Sequence, residues 1–390
     1  MKRSVRIAGI AAAILLALML VGVIVAIPVV RARYGGGRRL EDRTSAPLIL
    51  PAATEVVADL EYPPGNIAVS ASGRVFFTFH PDGGPRVQVN ELVGVTPEPW
   101  PDEAFQTTHF WTREPHFQSV LALRIDQRDR LWVLDHAHYG RGQPRLLAFD
   151  LNTKELVHRY DFPSAVAGFL SMLNDFQIDP EGRKIYIAET SPIRQTPALI
   201  VYDVDTQTSR RLLESHVSLQ AQDYIIQAPM RDMILFGLYT LRIGVDSIAL
   251  DKRGEWLYYG PVNGDRLYRV ATKDLNDVSL TASDLAAKVE DYGPKTISDG
   301  LSMDLLDNVY ITDPEHSAIL ALGADRQLRT VVKDSPWRWP DGLSFGPDGW
   351  LYVSCSALHQ VLLRSGRSIQ AHAPYQIMRF KPGPLGVPGQ

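Results

Sequence analysis

Residues 297–314, ISDGLSMDLLDNVYITDP, and 339–356, WPDGLSFGPDGWLYVSCS, follow one plan. Each runs through Asp-Gly-Leu-Ser, turns on Asp, Gly or Asn, and returns through β-branched and aromatic residues. Alternation on both sides of such a turn is the signature of a β-hairpin. The plan recurs upstream in GNIAVSASGRVFFTF from Gly65, LALRIDQRDRLWVLD from Leu121, NDFQIDPEGRKIYIAE from Asn174 and DSIALDKRGEWLYYGP from Asp246. The returning strands, anchored at Val75, Leu131, Ile185, Leu257, Val309 and Leu351, lie 56, 54, 72, 52 and 42 residues apart. Each interval holds enough chain for two more strands, so the spacing predicts an all-β, six-bladed β-propeller. A β-sandwich would turn every ~8–12 residues without this superperiod. EVVADL before the first hairpin and YQIMRF after the last are predicted to share a blade and close the ring. Thr281 to Val289 reads as one short helix.

Outside the repeats the chain changes character. Ile7 to Val30 is an uncharged run of 24 residues, more than the ~20 a helix needs to cross a bilayer. It is longer than the apolar part of a cleaved signal, and no convincing cleavage site follows. Residues 1–33 therefore read as a signal anchor with a transmembrane helix, 34–53 as a Gly/Arg/Pro tether, 54–380 as the propeller and 381–390 as a flexible tail. Seven basic and no acidic side chains fall in residues 1–39, leaving 33 Lys and Arg against 44 Asp and Glu, a formal −11, beyond them. An acidic body excludes a nucleic-acid partner. The short basic tail places the body outside the cytoplasm, periplasmic or extracellular. Cys355 is the single cysteine, which excludes an intrachain disulfide and a cysteine zinc cage.

GVDSIALDKRGEWLYYGPVNGDRLYRVATKDL (244–275), ISDGLSMDLLDNVYITDPEHSAIL (297–320) and LIVYDVDTQTSRRLLESH (199–216) closely resemble the major royal jelly/Yellow family, as does LWVLDHAH (131–138), where His136 replaces a usual small residue. The resemblance runs from about Leu60 to Phe380 and implies a secreted six-bladed propeller. It implies less about activity, because the family mixes dopachrome-converting enzymes with ligand-binding and nutrient proteins. A more distant likeness to gluconolactonase-type propellers rests on the Asp-Gly-Leu-Ser stretches.

Aligning the six copies puts Gly65, Leu121, Asn174, Asp246, Asp299 and Asp341 in one column, which a propeller brings to the mouth of its central channel. Such a ring of oxygens suits a divalent cation, Ca²⁺ or Mg²⁺, or one carboxylate with a raised pKa, Asp299, as a general base. The competing reading is that Asp and Asn cap local backbone N–H groups. The gluconolactonase likeness implies a cation at Asn174, Asp246 and Asp299, but that family's first-blade glutamate has no counterpart at Gly65. Asp341 and Trp339 are expected to contact a small-molecule ligand. His136 and His316 are the candidate general bases, with His138 and His359 behind them. The column Asp126, Asp179, Asp251 and Asp304 reads as turn residues. Trp100, Trp111, Trp132 and Trp337 read mainly as blade core. No GxSxG, HExxH, Walker or GxGxxG motif is in place, so no organic cofactor is expected. The surviving functions are a funnel that binds a small aromatic or quinone-like molecule, a tautomerase or metal-assisted lactonase acting there, and a membrane-tethered scaffold.

Overall fold

In the computed structural model, which describes residues 26–106 and 116–390 together with 14, 17, 19 and 22, each of the six hairpins forms the two inner strands of a four-stranded antiparallel sheet. The innermost strands are Pro64–Val69, Val120–Ile125, Leu173–Ile178, Val245–Leu250, Leu301–Met303 and Pro340–Phe345. All begin at one end of the channel, called here the upper face. The connections from one blade to the next, and from second to third strands, also lie on this face. Trp111 and most of the 7–30 run lie outside the described residues. Residues 26–34 are helical, and among the described residues no helix is long and apolar enough to cross a membrane.

The inner strands are buried on both faces, because each blade is packed between two neighbours. Phe76, Trp100 and Phe149 fill the seam between blades one and two. Trp132, Phe176 and Tyr202 fill the next. Trp337, Phe345 and Phe380 fill that between blades five and six. A single blade would leave these faces in water, so the ring is the unit that buries them. The long third interval of the sequence repeat is explained by residues 213–244, an insertion on the upper face with two small hairpins, Gln227–Ala228 with Arg231–Asp232 and Ile234–Leu235 with Tyr239–Thr240. The predicted short helix is Ala282–Ala286, started by a Thr281–Asp284 capping box.

The ring closes as its end strands foretell. Thr54–Leu60 is the outermost strand of blade six and pairs antiparallel with Tyr375–Phe380, from Thr54 opposite Phe380 to Leu60 opposite Tyr375. The flanking segments differ from the expected tether and tail, because both satisfy backbone groups that the blades leave open. Leu48 and Ile49 donate to the carbonyls of Thr330 and Val331, at 3.0 and 2.9 Å, and so cover the outer edge of blade five. Arg43 donates to the carbonyls of Asp265 and Lys295, at 2.8 and 2.6 Å. At the lower end, the Ile125 N–H reaches the Gly389 carbonyl at 3.1 Å, and the Gln390 side chain donates to the Ile178 carbonyl at 3.1 Å. The last residues thus lie across the floor of the channel.

Candidate functional site

Five of the six inner strands open on a β-bulge: the pairing register slips between Pro64 and Ile67, Val120 and Ala122, Leu173 and Phe176, Val245 and Ile248, and Pro340 and Leu343. A bulge inserts an extra residue and re-aims side chains, here toward the channel. Hydroxyls on the second strands support three of the strand heads. Thr78 Oγ1 accepts from the Asn66 N–H at 2.9 Å, Thr312 Oγ1 from those of Asp299 and Gly300 at 3.1 and 2.7 Å, and Ser354 Oγ from that of Gly342 at 2.9 Å. The glycine after Asp299 is required by crowding: a Cβ on Gly300 would stand 1.7 Å from the Asp341 carbonyl oxygen. Neighbouring inner strands therefore touch, and the polar heads surround a small space.

That space is lined by Asn66, Arg124, Asn174, Asp175, Asp246, Asp299 and Asp341, with Leu121, Ser247, Gly300, Leu301, Gly342 and Leu343. It is a cavity of about 10 Å³, room for about one water or a monatomic ion. Asn174, Asp246, Asp299 and Asp341, which the sequence column grouped, do meet here. Three polar residues of the site escaped the alignment. Arg124, 1 % exposed, pairs with Asp175 at 2.8 Å and donates to Asn66 Oδ1. Asn66 and Asp175 sit one residue after the aligned column, because a bulge turns two successive residues inward. Arg124 had left a signal, as a lone cation inside the apolar strand Val120–Ile125.

Four carboxyl groups against one guanidinium cannot all ionise cheaply when dry. Burial pushes Asp246 and Asp341 well above the usual carboxylate range, and the charge of Asp299 pushes them further. Asp299 and Asp175 are also raised by burial. Asp246, Asp299 and Asp341 line one cavity, and buried carboxyl groups gathered this way ionise unequally. Among the described residues, Asn174 Oδ1 and Asp246 Oδ1 are buried acceptors with no donor. Such oxygens suit a hard cation: Asn174 and Asp246 would supply neutral and ionised ligands, with Asp299 beside them. The carboxylates stand more openly than in a tight cage. Among the described residues, the group of three acidic or histidine side chains whose ligand atoms all lie within 4.8 Å of one another is Asp313, Glu315 and His316. Those three form a capped turn, with Asp313 Oδ1 accepting from the N–H groups of Glu315 and His316 at 3.0 Å.

The remaining predicted residues surround the cavity without lining it. Trp339 is fully buried, donates its indole N–H to Asp299 Oδ2 at 2.5 Å, and stacks on His359 with centroids 6.1 Å apart. It supports Asp299 from behind. His136 is buried away from water, which drives its imidazole down to about 3, and its Nδ1 accepts from the Tyr139 N–H at 2.9 Å. Its Nε2 lies 3.3 Å from Ser119 Oγ. His136 thus serves as a turn cap, and His138 is exposed. His316 pairs with Asp313 at 2.9 Å and with Asp42 of the N-terminal segment at 3.5 Å. His80, at the end of the second strand of blade one, was not singled out, yet its charge would be felt by Asp299. The turn column behaves as expected: Asp126 Oδ1 accepts from Arg128 N–H at 2.9 Å, Asp179 from Arg183 at 2.6 Å, Asp251 from Glu255 at 2.6 Å, and Asp304 from Leu306 at 2.8 Å.

Among solved structures, the fold is similar to a calcium-binding protein, regucalcin, from Agrobacterium tumefaciens, with a TM-score of 0.54, 15% identity, and coverage of 89% of this chain and 98% of that one. It is also similar to a gluconolactonase from Xanthomonas campestris, with a TM-score of 0.52, 12% identity, and coverage of 85% and 89%. These likenesses concern the fold. In sequence, the chain is 30% identical to major royal jelly protein 1 of Apis mellifera over 219 residues, covering 52% of this chain and 45% of the relative. Major royal jelly protein 7 of Apis mellifera is 28% identical over 191 residues, covering 45% and 39%. The matches thus span less than half the length of these curated relatives. Residues 118–342, more than half of the chain, match the family described as major royal jelly protein, and the chain belongs to that family.

Proposed function

We propose that this protein is an extracytoplasmic propeller, anchored through residues 7–30, whose acidic funnel holds a divalent cation and binds a small molecule above it. The observation that carries this reading is the pair of donorless buried oxygens, Asn174 Oδ1 and Asp246 Oδ1, in one cavity with Asp299 and Asp341. Dry acceptors are costly unless something electropositive meets them. The likeness of the fold to a protein described as calcium-binding and to a gluconolactonase supports Ca²⁺ or Mg²⁺ and a cyclic ester as ligand. A bound cation would polarise a carbonyl oxygen. Asp341 and the Asp246–Asp299 pair would orient the ligand and move a proton.

A second reading is favoured by the buried carboxyl groups of Asp246 and Asp299 lining one cavity. A carboxyl pair holding one proton between them can take a proton from one atom of a quinone-like ring and return it to another, without metal. Metal analysis of the purified protein, with lactones and catechol-derived quinones tested as substrates, separates the two. Stoichiometric cation and chelator-sensitive turnover of a lactone support the first reading. Chelator-resistant isomerisation of a quinone supports the second. Tight binding of either class without turnover leaves a ligand carrier, and no binding of cation or ligand refutes both.

A further inference from the structure

Among the described residues, the upper face carries an apolar rim left exposed. Met230 and Phe236, at the tips of the two small hairpins, are 93 % and 82 % exposed. Val217 on the same insertion, and Phe169, Ile193 and Leu363 on other connections of this face, are also exposed. Those connections form one surface. Arg231 donates to the carbonyls of His359 and Leu362, at 2.8 and 3.1 Å, and so joins the Met230 hairpin to the Leu363 loop. Gln195 donates to the Tyr239 hydroxyl at 2.9 Å and joins the Ile193 loop to the Phe236 hairpin. Bulky apolar tips held in water need a partner.

Two observations identify it. The helix that continues the 24-residue apolar run ends on this face: the Gly36 carbonyl accepts from Thr240 Oγ1 at 3.0 Å and from Arg242 at 2.8 Å, and Tyr34 meets Tyr239 with ring centroids 6.1 Å apart. Four residues separate Val30 from Gly35, a rise of about 8 Å if helical, so little slack separates the end of the apolar run from the rim. Charge is mixed on the insertion itself, where Asp232 pairs with Arg39 and Asp223 with Arg242, but the segments beside it are basic: residues 26–40 hold four arginines and no acid, and residues 356–374 hold Arg364 and Arg367 and no acid. At the opposite end, exposed Val278 and Leu306 have Asp274, Asp277, Asp304 and Asp307 as near neighbours in sequence.

We propose that the upper face rests on an anionic lipid bilayer, with Met230, Phe236, Leu363 and Phe169 at the boundary between headgroups and acyl chains, so that the funnel opens toward the membrane surface. Exposed apolar tips beside basic segments are what such a boundary binds. The proposal adopts the anchor reading of residues 7–30, and the test separates the two. Cys355 is buried, so single cysteines introduced as Met230→Cys, Phe236→Cys, Val278→Cys and Leu306→Cys can each carry an environment-sensitive fluorophore in the full chain. In vesicles of phosphatidylcholine and phosphatidylglycerol, labels at 230 and 236 should shift to shorter wavelength and lose most of their emission to doxyl-labelled lipid. Labels at 278 and 306 should do neither and should be quenched by iodide. Iodide quenching of all four overturns the proposal, and so does protection of 230 and 236 from iodide without lipid quenching, which would place a protein surface there. Alkaline extraction reports the anchor independently. Protein retained with unquenched labels refutes the docking alone, whereas protein released with unquenched labels refutes both. Protein released at alkaline pH whose labels are lipid-quenched at neutral pH keeps the docking without the anchor.

Discussion

At Asp246 two demands conflict: burial favours the neutral acid, whereas a cation needs the carboxylate. Because folding raises its pKa, the vacant protein loses stability as pH climbs from the ordinary carboxylate range through the raised value, where the unfolded chain has already released its proton. Cation binding should therefore release protons and tighten as pH rises, which calorimetry in two buffers of different ionisation enthalpy can measure. Asp246→Asn should weaken cation binding by at least about tenfold, ~1.4 kcal/mol, and should flatten the fall in melting temperature with pH. Unchanged affinity would make Asp246 a strand cap. Asp299→Ala differs, because it strands the buried indole N–H of Trp339; it should cost about 1–3 kcal/mol, whereas Asp299→Asn, which keeps an acceptor, should restore most of that. Thermal melts of the pair decide it. The site was half legible at this scale. Asn174, Asp246, Asp299 and Asp341 stand at matching positions of a repeat, while Asn66, Asp175 and Arg124 enter through the bulges and the inner strand of blade two. His136 stood out in the sequence through its motif, although its ring nitrogens serve the local turn.

Among the elements, the head of the inner strand does the positioning, as blade five shows. Gly300 lets the Asp341 carbonyl approach, and Thr312 satisfies two N–H groups of the bend. Gly300→Ala should destabilise by at least about 1–3 kcal/mol through overpacking, seen as a lower midpoint in urea. Thr312→Val keeps the shape but leaves the N–H groups of Asp299 and Gly300 without their acceptor, and should cost about 1–3 kcal/mol for each. An unchanged midpoint for either variant would mean that the strand head relaxes freely. The hairpins were readable because alternation and turn chemistry are local properties. The bulges were not, since an extra residue leaves the alternation of the rest of the strand intact. The 72-residue interval revealed an insertion but not its hairpins, whose strands are two residues long.

For the whole molecule, closure depends on Thr54–Leu60. A chain beginning after Leu60 would expose the edge of Tyr375–Phe380 and is expected to aggregate or to lose its cooperative melt, whereas one beginning at about residue 45 should keep it. Light scattering and circular dichroism on the two truncations test this. A reporter joined after Gln390 should be active in an extracytoplasmic compartment, and activity in the cytoplasm would reverse the proposed orientation. Six blades and their closing strands could be counted from the sequence because each blade repeats a period. The docking of residues 43–49 and 385–390 could not, because it rests on open backbone groups of distant strands, which composition does not reveal.

The shared sixth blade also sets a clock. Thr54–Leu60 is made first and its partner Tyr375–Phe380 about 315 residues later, a delay of roughly 15–60 seconds at about 5–20 residues per second. For that interval the first strand of the ring has no β-partner, and five blades can form while the channel stays open at one seam. The cavity gathers residues from all six blades, the last of them Asp341, Gly342 and Leu343, so it cannot be complete until the inner strand of blade six is made, and neither cation nor ligand can speed the earlier steps of folding. Whatever shields that waiting strand during synthesis governs the yield of closed rings.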